Sequence, residues 1–143
     1  MKNIAFSVLI LLFIGIEGSA QYNKGLLIES ILKTDTTSIG QKIVYPHFTN
    51  DEVTISKITI PPGQSTGWHM HKFPVFAYVL KGTLTVEIED GNFKIFQENS
   101  SFSEVINTFH NGKNNESEDL ILIAFYLGEK DKPLSVPMVR NKK

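Results

Sequence analysis

The stretch VFAYVLKGTLTVEIEDG, residues 75–91, decides the fold class. Leu84, Val86 and Ile88 alternate with Thr83, Thr85, Glu87 and Glu89, which in an extended chain places three apolar side chains on one face. Asp90-Gly91 is a two-residue hairpin signal, because glycine accepts the positive φ of a tight turn. Lys81-Gly82 interrupts the preceding apolar run in the same way. Outward from this stretch the punctuation recurs: residues 53–60 stop at Pro61-Pro62-Gly63, residues 93–96 at Glu98-Asn99-Ser100, and residues 120–127 at Gly128. Short runs rich in β-branched and aromatic residues at such intervals predict an all-β, antiparallel sandwich or barrel over residues 53–128. Residues 21–52 lack this regularity: Leu26, Leu27, Ile28, Ile31 and Leu32 fit a short helix or two extended pieces before a turn-rich segment at 34–40, and we expect an extended N-terminal arm. Residues 129–143 are expected to be a C-terminal tail, ending in the solvated Arg140-Asn141-Lys142-Lys143.

A chain of 143 residues is long enough for one domain, and 41% hydrophobic residues exclude the disordered class. A net charge of -1 gives no basic footprint, so nucleic acid is not expected as a partner. The chain has no cysteine, so its core rests on packing alone.

The first twenty residues read as a secretory signal peptide. Lys2 precedes a run of thirteen mostly apolar residues, 4–16, and small residues Gly18 and Ala20 stand ahead of a cut before Gln21. The run is too short for a permanent span, which needs about 20 apolar residues. Cleavage removes Lys2 and Glu17 and leaves the net charge at -1. The expected mature protein is periplasmic or secreted, with no membrane partner.

Three of the four histidines fall at chemically meaningful spacings. His69 and His71 stand two apart, so on a strand both imidazoles point into the same space. Such a pair is half of a divalent metal site, and a third imidazole from a neighbouring strand completes a facial triad. His110, between an apolar stretch and Asn111-Gly112, stands near a strand end and is the candidate third ligand. On its own the pair fits equally well two surface or core histidines. His47 is expected in an exposed loop, and Gln64 in a turn. Trp68 and Met70 have the opposite parity and are expected to point away.

Gly63, five residues, His69-Met70-His71, three residues, Val75, six residues and Gly82 resembles the first cupin motif, G-x5-H-x-H-x3-E-x6-G, at every position except the acidic one. Asn99, Val105, Asn107, His110 and Asn114 resemble the second motif, G-x5-P-x-G-x2-H-x3-N. Asn stands at both of its glycine positions, and Asn is the best substitute where φ must be positive. The resemblance implies a small antiparallel β-barrel, the cupin jelly roll, with a divalent metal (Fe, Zn, Ni, Cu or Mn) held by His69, His71 and His110. Val75 stands where the family has its carboxylate. A neutral three-imidazole shell is similar to that of cupin thiol dioxygenases, which favours dioxygenase-like chemistry on a small polar molecule. The competing reading is a non-catalytic small-molecule or metal binding module with a degenerate site. Glu104 is a candidate substitute carboxylate or general acid, although a solvent-facing place is expected for it. If His69, His71 and Val75 face inward, then Phe76, Tyr78 and Leu80 face outward, and we expect a homodimer through that apolar face unless the arm covers it.

Overall fold

The computed structural model describes residues 25–139 and shows nine strands. They are β1 (Asp51–Ile60), β2 (His69–Met70), β3 (Val75–Lys81), β4 (Thr83–Ile88), β5 (Phe93–Gln97), β6 (Ser101–Ser103), β7 (His110–Asn114), β8 (Leu120–Glu129) and β9 (Val136–Pro137). The expected signal peptide, residues 1–20, and the basic residues from Arg140 onward lie outside the described residues. Two antiparallel sheets form, in the orders β1-β8-β3-β6 and β5-β4-β7-β2-β9, and no helix occurs among the described residues. This is the all-β jelly roll that the sequence predicts.

The alternation that predicted β4 is obeyed: Leu84, Val86 and Ile88 are buried while Thr83, Thr85 and Glu87 are only half-buried. On β3 the parity also holds, with Val75, Ala77 and Val79 inside and Phe76, Tyr78 and Leu80 on the outer face. The two inner faces meet in a core of Ala77, Val79, Leu84, Val86, Leu120 and Leu122, and Phe96 stacks on Phe102 with centroids 3.8 Å apart. Gly82 turns the chain between β3 and β4 at φ +86°, and a Cβ there would meet Leu120 Cα at 3.4 Å.

The hairpin between β4 and β5 differs from the two-residue turn expected at Asp90-Gly91. Ile88 N–H donates to Asn92 O and Gly91 N–H donates to Ile88 O, each at 2.9 Å, so the loop is Glu89-Asp90-Gly91. A two-residue turn of the favoured type needs positive φ at both central residues, and here Gly91 alone of the three has it. Asp90 Oδ1 accepts Asn92 N–H at 2.9 Å and holds this wider turn.

Among the described residues the arm forms no named strand before β1, which takes its last two residues, Asp51 and Glu52. Its tip folds back through a Thr36–Lys42 bridge and docks on the barrel, where Ser38 N–H donates to Ser103 O at 2.9 Å. Ile31 and Leu32 border a groove with Phe76 and Tyr78 on the outer sheet face, so the arm reaches the patch beside them. At the other end of the chain Val136–Pro137 pairs with β2 as the last strand of the second sheet.

Candidate metal centre

His69 lies directly opposite His110 across the β2–β7 pair, so the two imidazoles leave the sheet side by side. His71 follows His69 on the same face and is buried. The ring centroids are 4.4 Å apart for His69 and His110, 5.0 Å for His69 and His71, and 5.2 Å for His71 and His110. One ligand atom from each lies within 4.8 Å of the others. The sequence therefore brings together the three residues it singled out, while His47 sits exposed in its loop.

Backbone carbonyls set the direction of each imidazole. Nδ1–H donates to Gly67 O at 2.8 Å in His69, to Leu134 O at 2.8 Å in His71 and to Thr108 O at 3.0 Å in His110. A carbonyl can only accept, so Nδ1 carries the proton and every Nε2 keeps a free lone pair, the tautomer a metal requires. Burial pushes His71 down to about 4, and burial lowers His69 and His110 as well, so all three rings are neutral near pH 7. His110 Nε2 is buried without a hydrogen-bond partner. Such an orphan is costly unless something else occupies its lone pair, and a divalent ion would. The donor set fits a metal.

The second motif's Asn residues behave as the resemblance implies: φ is +65° at Asn99 and +52° at Asn107. Asn107 N–H donates to His71 O at 2.8 Å, which joins the two motifs. Asn114 is structural, since its Nδ2 donates to Ile60 O at 2.8 Å and Glu118 O at 2.7 Å and ties β7 to both neighbours of the loop.

The histidines open into a cavity of about 340 Å³ walled by Val75, Ala77, Leu122 and Ala124. Two polar groups in it were not expected. Glu104, expected in solvent, is turned inward: its side chain is 14% exposed and Oε2 stands 3.6 Å from His110 Nε2. Burial raises its carboxyl to about 7. The signal was its parity with buried Phe102 two residues earlier. Tyr126 shares parity with buried Leu122 and Ala124 on β8, lines the cavity, and is raised by burial and by nearby Glu104. Trp68, expected to point away, also lines the cavity, because β2 begins only at His69 and Gly67 at φ +76° breaks the parity before it. Gln64 is in a turn, as expected, with its N–H on Pro61 O at 3.0 Å.

Residues 56–126 match the Cupin_2 family model, described as a cupin domain. Solved structures similar to the chain include BH2720 from Bacillus halodurans, with 19% identity and a TM-score of 0.51 over 59% of this chain and 69% of that one. DMSP lyase DddQ from Ruegeria pomeroyi is similar with 12% identity and a TM-score of 0.52, over 59% of this chain and 42% of that one. Oxalate decarboxylase from Lactobacillus farciminis, in its formate complex, is similar with 18% identity and a TM-score of 0.50, over 60% of this chain and 26% of that one. At these identities the likeness is one of fold, and the chain spans less than half the length of the two enzymes. No curated protein is significantly similar to the chain. The matched residues include all three histidines, and together with the similar folds they make this barrel a cupin jelly roll.

Proposed function

We propose that this protein is an exported single-domain cupin that holds a divalent metal on His69, His71 and His110 and binds, or acts on, a small polar molecule beside it. The observation that carries this reading is the convergence of three free Nε2 lone pairs, each fixed by a carbonyl behind its ring. A bound divalent ion supplies Lewis acidity and open coordination positions for a small polar or anionic ligand, and at Fe(II) it supports oxygen-dependent chemistry. The chain's own part is to keep the rings neutral, to exclude bulk water with Val75, Ala77, Leu122 and Ala124, and to offer Tyr126 as a hydroxyl toward the ligand. A cavity of about 340 Å³ is at the small end of ligand pockets. The similar folds named for oxalate decarboxylase and DMSP lyase also point to small molecules.

A binding module is the second reading. Among the described residues the cavity offers no titratable group beyond the three histidines, Glu104 and Tyr126, which leaves few groups free for acid–base work. Metal analysis of the purified protein separates the readings: iron with oxygen uptake on a panel of thiols and diketones supports the enzyme, and tight capture without turnover supports the module. Unchanged metal content in His69→Ala rejects both. Export rests on the composition of residues 1–20, and it predicts that the protein recovered outside the cytoplasm begins at Gln21.

A further inference from the structure

We infer that Glu104 is a fourth metal ligand, supplying from the neighbouring strand the carboxylate that Val75 lacks; this rests on the three-histidine reading above. Glu104 N–H donates to Val75 O at 2.9 Å, so the two residues are direct neighbours across the β3–β6 edge. Both line the same cavity. The apolar side chain at 75 leaves that wall without charge, and the carboxylate enters one strand away.

Two buried atoms have no hydrogen-bond partner on this side of the cavity, Glu104 Oε2 and His110 Nε2, and they face each other at 3.6 Å. With Nδ1–H of His110 committed to Thr108 O, Nε2 has no proton to give to a carboxylate. At that distance neither atom satisfies the other, and an ion between them would satisfy both. The backbone around Glu104 is held in place on each side. Ser103 O accepts from Ser38 N–H at 2.9 Å, Val105 is fully buried, and Ile106 N–H donates to Gln41 Oε1 at 2.9 Å. A carboxylate fixed in this way is placed before the ion arrives.

The consequence is a shell of three imidazole nitrogens and one carboxylate oxygen, with a net charge of +1 on a divalent ion instead of +2. Carboxylate ligation extends the range of the site toward harder ions such as Mn(II), while imidazole retains Zn, Fe and Ni.

Glu104→Gln tests this, because glutamine keeps the shape and hydrogen-bonding ability but cannot serve as an anionic ligand. Metal-free protein is titrated with Co(II) against a competing chelator, and the visible spectrum is recorded at saturation; circular dichroism confirms that each variant is folded. We expect Glu104→Gln to bind Co(II) at least tenfold more weakly, with a changed ligand-field spectrum. Wild-type affinity in Glu104→Gln, with Co(II) binding lost in His69→Ala, overturns the assignment of Glu104 and leaves the three-histidine site standing. Weaker binding with an unchanged spectrum at saturation also overturns it, since the carboxylate then acts from outside the shell. Wild-type binding in His69→Ala rejects the three-histidine reading and the fourth ligand with it.

Discussion

Gln41 joins the arm to the barrel through both backbone groups of Ile106: its Oε1 accepts Ile106 N–H at 2.9 Å and its Nε2 donates to Ile106 O at 3.0 Å. Nε2 also reaches Thr108 Oγ1 at 3.0 Å. The side chain thus stands in for a strand partner to the loop that runs from Glu104 to His110. Gln41→Ala leaves a part-buried donor and acceptor unpaired, which costs about 2 kcal/mol in all. Urea denaturation should show that loss, and metal affinity should fall with it because both ends of the loop face the cavity. An unchanged unfolding midpoint would show that water replaces the amide without cost.

The buried imidazoles set the acid response of the metal-free protein. His71 has a native value of about 4 against an ordinary 6.5, so between those limits the unfolded chain takes up a proton that the native state refuses. Stability is therefore full above about pH 6.5 and lost as pH falls toward 4, by about 3 kcal/mol for His71. His69 and His110 are lowered too and add to the loss. Glu104 acts in the opposite sense: its raised value of about 7 adds stability that is present below its ordinary 4.5 and disappears as pH rises through 7. Three imidazoles outweigh one carboxyl, so the Tm of the metal-free protein should drop between pH 6.5 and 4.5, and His71→Gln should flatten the drop. A level Tm across that interval would contradict the burial argument.

Ile55, Phe125 and Phe76 form one row across three strands on the outer sheet face, each the register partner of the next. Ile55 is 61% exposed and Phe125 38% exposed, while the groove that Ile31 and Leu32 of the arm border takes in Phe76, Tyr78 and Phe125 but not Ile55. We propose that the apolar surface left open around Ile55 pairs with a second copy of the chain, as a homodimer through this face. Ile55→Asp should then elute as a monomer on size-exclusion chromatography with its metal content intact. If wild type and variant elute together as monomers, the arm alone suffices to cover the face.

Legibility in the sequence followed the range of the interactions. The β4 alternation and the inward parity of β3 are local patterns and were readable, as was the meeting of His69, His71 and His110 once their spacing was matched to two motifs. Strands β2 and β9 are two residues each and exist through pairing with one another and with β7, so neither carries a period of its own. The Leu134 carbonyl that orients His71 comes from 63 positions away and left no trace in the local pattern. Glu104 shares its parity with buried Phe102, but a charged side chain is usually found in water, so its residue type points the opposite way from its position.

Asn107 combines a backbone requirement with a contact to the site. Its φ of +52° is a left-handed conformation that costs a residue with a Cβ about 1 kcal/mol, less for Asn and nothing for Gly. Its N–H holds His71 O at 2.8 Å, so strain at this residue is passed to a metal-binding ring. Asn107→Gly should therefore be close to neutral in stability, returning the residue that the family motif has there. Asn107→Ala should lose about 1 kcal/mol and weaken metal binding, because relaxing φ pulls the amide away from His71. Chemical denaturation of both variants, with Zn(II) titration, distinguishes the backbone effect from a side-chain role: equal losses in Gly and Ala would mean that the Asn amide itself, and not its φ, is what the site requires.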